Sequence, residues 1–290
     1  MEIFNNKGRF ISILSDYGFK ATFGNEADTT FLKKALQALI NSPVPIKTIE
    51  FVKNEISAIT IDSRSGIYDI ACVDENKNHF IVEMQLSKYP EFIQRMKFYA
   101  FHKFNTLVKK GDYKFENLPK IYCIGILAEN IFSEIDDYHN IATIRNTKNE
   151  IIDDQTVFVT VELDKFTKQL ENIQTDLDKL IYTMKTLHTV TEPSQFPTFW
   201  NEKWLKKAIS EVDLRAMTPD QKLAYEMTIS ANALVVKNEN RKITEAEQRV
   251  KTVTVKNALQ KGLSIELAAE IAEVSVDFVK NIQQNLLNQN

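Results

Sequence analysis

The residues best suited to do chemistry are two carboxylates and an amide: Asp69 in one apolar run, then Glu83 and Gln85 in the next. They fall in Ile67 to Gln85, where two runs rich in β-branched and aromatic residues flank a polar knot, the pattern of a β-hairpin. With Asn76 at the tip, antiparallel register pairs Val73 with His79, Ala71 with Ile81, and Asp69 with Glu83. Alternation predicts one wholly apolar face, made of Tyr68, Ile70, Cys72, Phe80, Val82 and Met84, resting on a core. The other face starts with Ala71, Val73 and Ile81 and ends in Asp69, Glu83 and Gln85. Two acids at one end of an otherwise buried hairpin are costly to desolvate unless something positive compensates them. A hard divalent cation would do so. The bland alternative is an exposed hairpin end bearing ordinary charges.

The elements around the hairpin follow from spacing. Met1 to Phe10 reads as a loose tail. Between Ser15 and Gly24, Phe19 and Phe23 lie four apart, as on one face of a helical turn that Gly24 ends. Asp28 or Thr29 caps a helix through Ile40, which Pro43 and Pro45 stop. Ile49 to Asp62 reads as a strand or two, with Glu55 its acidic residue to watch. Pro90 opens a helix that carries Phe92, Met96, Tyr99 and Phe104 and ends near Gly111, packed across the sheet. Arg95, Lys97, Lys103, Lys109, Lys110 and Lys114 break its apolar pattern; they form either a phosphate-contacting edge or a solvated face. Ile121 to Leu127 is a continuous apolar run, the signature of a central strand, and Phe158 to Leu163 is its neighbour. Helices and strands in this order indicate an α/β sandwich over roughly the first 165 residues.

The motifs resemble a known family. Asp69, followed in the next strand by Ile81-Val82-Glu83-Met84-Gln85, is similar to the D…(D/E)xK signature of restriction-endonuclease-like nucleases. More narrowly, that pair and three further features look like the Rpn family of recombination-promoting nucleases and putative transposases. These are Asp16-Tyr17-Gly18-Phe19-Lys20 with Phe23-Gly24, the Asp69-Ile70 and Glu83-Met84-Gln85 pair, Arg95 to Tyr99, and Lys109 to Tyr113.

The resemblance implies a restriction-endonuclease-like mixed sheet flanked by helices and a divalent-metal-dependent DNA endonuclease, acting in transposition, recombination or defence against foreign DNA. Mg²⁺, with Mn²⁺ or Ca²⁺ as substitutes, would be held by Asp69, Glu83 and the Met84 carbonyl. Asp16 and Lys20 match the N-terminal motif and, with Glu55, are supporting candidates; Arg95 and Lys97 are candidate phosphate contacts. Gln85 departs from the general signature, which has lysine there. An amide carries no charge and no titratable proton, so it is assigned to positioning water. The alternative function is a catalytically silent DNA-binding or interaction protein that keeps the nuclease fold.

Residues 166–198 read as an amphipathic helix, Leu170 to Thr189, and a linker from Glu192 to Phe199; residues 199–290 read as an all-α appendage. Asp220 to about Lys261 lacks glycine and proline, which predicts one long or two stacked helices and, through them, a homodimer. The stretch Gly262 to Ile282 resembles a helix-turn-helix with Ser264 and Ser275 as N-caps and Glu273 at the turn, but Lys280 is the sole base in its second helix, which favours packing over base reading.

At 290 residues, 43% hydrophobic and 26% charged, the chain has an ordinary globular composition, and its net charge of −3 exerts no global pull on nucleic acid. Cys72 and Cys123 sit within predicted strands and read as buried thiols. No membrane span or signal sequence is evident, so the cytoplasm is expected. RNA is a weaker expectation than DNA, because no platform of exposed aromatics is apparent in the sequence.

Overall fold

The computed structural model describes residues 8–53, 55–56, 66–86, 91–108 and 115–287. Ser15 accepts a hydrogen bond from the Gly18 N–H and opens helix α1 (Asp16–Phe23), whose Phe19 and Phe23 rings stack at 4.4 Å inside the core. Helix α2 (Thr30–Leu39) buries Phe31, Leu32, Ala35, Leu36 and Leu39 along one stripe. There follow β1 (Ile49–Phe51), β2 (Glu55–Ile56), β3 (Gly66–Ile67), β4 (Ile70–Asp74), β5 (His79–Gln85), α3 (Phe92–Leu107), β6 (Ile121–Leu127), β7 (His139–Arg145) and β8 (Ile151–Glu162). The chain continues through α4 (Asp176–Thr186), α5 (Lys203–Glu211), α6 (Pro219–Gln260), α7 (Ile265–Ile271) and α8 (Val276–Leu287).

Six strands form one mixed sheet in the order β1-β4-β5-β6-β8-β7, and β2 pairs separately with β3. Strands β5, β6 and β8 are parallel neighbours, while β4 pairs antiparallel with β5. This is a restriction-endonuclease-like α/β fold. The hairpin register is the expected one: Val73 faces His79 and Ala71 faces Ile81. Helix α3 packs Phe92, Met96, Tyr99 and Ala100 onto Ala71, Ile81, Ile121, Cys123 and Leu127. On the other sheet face Ile70, Cys72, Phe80, Val82, Ile124 and Ile126 are also buried, so the hairpin is covered on both sides. Tyr68 departs from the alternation: Asp69 sits in a bend just before β4, and Tyr68 packs with Ala71 and Ile81, its ring edge-on to Tyr99 at 4.9 Å. Met84, placed on the apolar face, is only half-buried.

Other expectations change for identifiable reasons. Phe10 is not part of a loose tail: it is buried, and Arg9 pairs with Asp213 at 2.5 Å while the Ile11 N–H donates to the Val212 carbonyl. The helix expected from Leu170 begins at Asp176, because Thr175 and Asp178 form a reciprocal capping box there. The segment read as a linker leads into Trp200, whose indole N–H donates to Thr183 Oγ1 at 2.8 Å. Strand β7 and the first half of β8 carry exposed isoleucines, Ile144, Ile151 and Ile152, which hide the half-buried alternation used to recognise strands.

The chain divides into two compact units, 1–222 and 223–290. Both α4 and α5 pack on α2, and Trp204 of α5 stacks on Phe31 at 5.8 Å, so the sheet-bearing unit runs past residue 165 to Lys222. Helix α6 is a single helix of 42 residues, and from Leu223 onward it belongs to the second unit. Val255 and Ala258 from α6, Ala268 and Ala269 from α7, and Val279 and Ile282 from α8 close a small core. Ser264 caps α7, the Ser275 hydroxyl accepts from the Phe278 N–H, and Glu273 takes the left-handed turn at φ 49°. Cys72 and Cys123 are buried free thiols. Among the described residues no helix is long and apolar enough to cross a membrane.

Candidate active site

Register and helix packing bring three polar residues of the hairpin to one place. The Asp69 backbone N–H donates to Glu83 Oε1 at 3.2 Å, and the Met84 N–H donates to Asp69 Oδ2 at 2.9 Å. The two carboxylates are thus cross-tied by the backbone across the mouth of the hairpin. Gln85 follows Glu83 on the same face of β5.

Helix α3 supplies the fourth member. Arg95 donates through Nη2 to Glu83 Oε2 at 3.3 Å and to Gln85 Oε1 at 3.1 Å. A glycine makes this possible. Gly125 on β6 is the register partner of Glu83, and a Cβ there would meet the Phe92 ring at 2.5 Å. The bare backbone lets Phe92 lie on the sheet beside Glu83, and Arg95, one turn further along α3, then reaches over the acid.

Burial dominates the electrostatics. The Glu83 residue is only 5% exposed, and its carboxyl is pushed up to about 7, first by desolvation and then by the Asp69 charge; Arg95 and the Asp69 N–H oppose this without cancelling it. Asp69 is also raised by burial, against the hydrogen bond from Met84. Lys20 and Asp16 of α1 form an i, i+4 ion pair at 2.8 Å and act on Asp69 in opposite senses, the lysine lowering its pKa and the aspartate raising it.

The donor chemistry fits a hard divalent cation. Two carboxylates whose ionisation is held back by burial gain most from an added positive charge. A main-chain oxygen is also placed for it. The Gln85 carbonyl accepts from Ala128 on the β6 side, so by strand alternation the Met84 carbonyl points to the β4 side, where Asp69 stands. Among the described residues no third His, Cys, Asp or Glu completes a larger cluster, and Mg²⁺ commonly binds through one or two carboxylates while keeping its waters.

The remaining candidates separate. Lys97 is exposed on α3, away from the buried stripe that packs on the sheet. Glu55 lies in β2 opposite Ile67; its side chain, like Ile59, Ile61, Pro90 and the stretch Lys109 to Lys114, lies outside the described residues. Arg95 was readable as a basic residue in a helix but not as a partner of Glu83, since where α3 crosses the sheet depends on long-range packing such as the Gly125–Phe92 contact.

The fold and the acidic hairpin define a restriction-endonuclease-like protein. Over residues 13–236 the sequence matches the PD-(D/E)XK nuclease family transposases, and the chain belongs to that family. No curated protein and no solved structure matches the chain.

Proposed function

We propose that the protein is a metal-dependent DNA endonuclease, acting in transposition, recombination or defence, with Asp69, Glu83 and Gln85 as its site. The observation that carries this reading is the cross-tied pair of the half-buried Asp69 and the buried Glu83, whose ionisation desolvation opposes. A bound divalent cation, Mg²⁺ or its substitutes Mn²⁺ and Ca²⁺, supplies charge stabilisation on a phosphodiester and lowers the pKa of water.

Asp69, Glu83 and the Met84 carbonyl hold the cation. Gln85, whose oxygen accepts from Arg95, presents an uncharged amide that orients water or a phosphate oxygen. Arg95 shields Glu83 in the free protein and carries the planar guanidinium that suits phosphate. Asp16 and Lys20 tune Asp69 from α1.

The Arg95–Glu83 ion pair also supports a second reading, a catalytically silent DNA-binding protein in which arginine permanently takes the place of the metal. Plasmid nicking separates the two. Wild type nicks supercoiled DNA in Mg²⁺ and Glu83→Ala does not; inactivity of the wild type in Mg²⁺, Mn²⁺ and Ca²⁺ alike favours the silent protein, and unchanged nicking in Glu83→Ala removes Glu83 from catalysis. A cytoplasmic location and a homodimer built through the helical C-terminal region complete the proposal; a single monomer peak in light scattering refutes the dimer.

A further inference from the structure

The strongest feature that the cleavage chemistry leaves unused is the outer face of α3. Phe98 and Phe101 are 45% and 61% exposed on it, an unusual disposition for phenylalanine. A pair of exposed aromatics therefore stands where none was apparent in the sequence. Sequence spacing concealed it, because α3 is apolar on most sides and its buried and exposed rings look alike until the crossing of helix and sheet is known.

Three observations say what this face accepts. First, it begins at the site: Phe98 is three residues beyond Arg95, so the two side chains are neighbours on the helix surface. Second, it continues a row of rings from the acids whose inner members, Tyr68 and Tyr99, are buried. Tyr68, next to Asp69, meets Tyr99 at 4.9 Å, Tyr99 meets Phe98 at 6.2 Å, and Phe98 meets His102 at 6.2 Å. Third, the outer face carries the exposed Lys97 beside Arg95, and the helix from Phe92 to Leu107 has no Asp or Glu, in a chain of net charge −3; Lys103 is half-buried on the sheet side. Exposed π-faces interleaved with cations on a helix free of carboxylates match the chemistry of unpaired nucleotides, which stack their bases and lay their phosphates on positive charge. Duplex DNA hides its base faces and leaves exposed phenylalanines unused.

From this we infer that α3 is a base-stacking platform for single-stranded DNA beside the cleavage site. Phe98 and Phe101 receive unpaired bases while Arg95 and Lys97 follow the backbone. The substrate class is then DNA with an unpaired tract, such as a flap, gap or melted end. This rests on the nuclease reading only for the fate of the bound strand; binding itself does not need the metal.

The test uses the full chain in EDTA, with fluorescence anisotropy on labelled dT15, rU15 and a blunt duplex of equal length. Wild type binds dT15 more tightly than the duplex. Phe98→Ala and Phe98→Leu each weaken dT15 binding about 10-fold, Phe98→Tyr retains it, and Phe101→Ala loses a smaller factor. The leucine variant keeps the apolar bulk, so its loss identifies stacking rather than a folding defect. Equal affinity for dT15 in wild type, Phe98→Ala and Phe101→Ala overturns the platform. Tighter binding of rU15 than dT15 reassigns it to RNA and overturns the DNA assignment. Wild-type plasmid nicking in Mg²⁺, measured alongside, reports on the other reading: nicking with Phe98-independent binding refutes the platform alone, and Phe98-dependent binding without nicking refutes the nuclease alone.

Discussion

Replacing Glu83 with glutamine should stabilise the sheet-bearing unit at alkaline pH while abolishing activity. The wild-type carboxyl is raised from its ordinary 4.5 to about 7 by burial and by Asp69. A group whose folded pKa is raised binds its proton more tightly in the native state. Its stabilising contribution is therefore complete below the unfolded pKa and is lost as pH climbs through the folded one. At 1.36 kcal/mol per unit, the metal-free wild type loses about 3 kcal/mol between pH 4.5 and just above pH 7 through this group. Glutamine at position 83 keeps the shape and can still accept from the Asp69 N–H, but its amide nitrogen sets a donor against the Arg95 guanidinium, at a cost of about 1 kcal/mol. The expected net gain is about 1–2 kcal/mol at pH 8.5 and none at pH 5, where Glu83 is already neutral. Urea denaturation in EDTA, followed by tryptophan fluorescence, measures this cleanly, since the only two tryptophans, Trp200 and Trp204, both belong to that unit. A pH-independent difference, or a variant less stable than wild type at pH 8.5, would refute the reasoning that the acid pair is strained by burial.

Removing the cation in Arg95→Ala raises the Glu83 pKa further, so the acidic limb of the nicking pH profile moves to higher pH; an unmoved limb means that Arg95 does not shield Glu83. Gly125→Val drives a side chain into the Phe92 ring and should cost about 1–3 kcal/mol in urea denaturation, with loss of nicking as Arg95 is displaced; wild-type stability rules out the close approach. Asp178 is fully buried, and although burial works against its ionisation, hydrogen bonds from Lys168, Thr175, Gln174 and Tyr138 hold its carboxyl at about 2. Its depressed pKa contributes about 2 kcal/mol above pH 4, lost as pH falls through 2, so Asp178→Asn should flatten the acid end of the stability profile, and an unaltered acid limb in thermal melts would contradict this.

Much of the fold was legible because short-range patterns decided it. The hairpin tip at Asn76, the continuous apolar strand β6 and the stripe on α2 follow from local alternation or period, and tertiary packing agreed with each. The Asp69–Glu83 apposition was legible for the same reason, since register at the tip propagates along the ribbon to the acids. What stayed hidden depends on contacts between distant segments. Arg9 finds Asp213 across the chain, α5 packs on α2 as part of its core, and the exposed isoleucines of β7 and the first half of β8 give no inward face to recognise. In the site, the place where α3 crosses the sheet was the missing quantity. It is set by Gly125 and Phe92, and it decides at once that Arg95 meets Glu83 and that Phe98 and Phe101 face outward.

The most direct measurement is Mn²⁺ uptake, followed by loss of the free-ion EPR signal, in wild type, Asp69→Asn and Glu83→Gln. A metal site built on the acid pair predicts uptake by the wild type and its loss in both variants, although each differs from the native side chain by little more than a charge. Uptake that persists undiminished in both variants, or that is absent from the wild type, would contradict the assignment of Asp69 and Glu83 as the metal-holding pair.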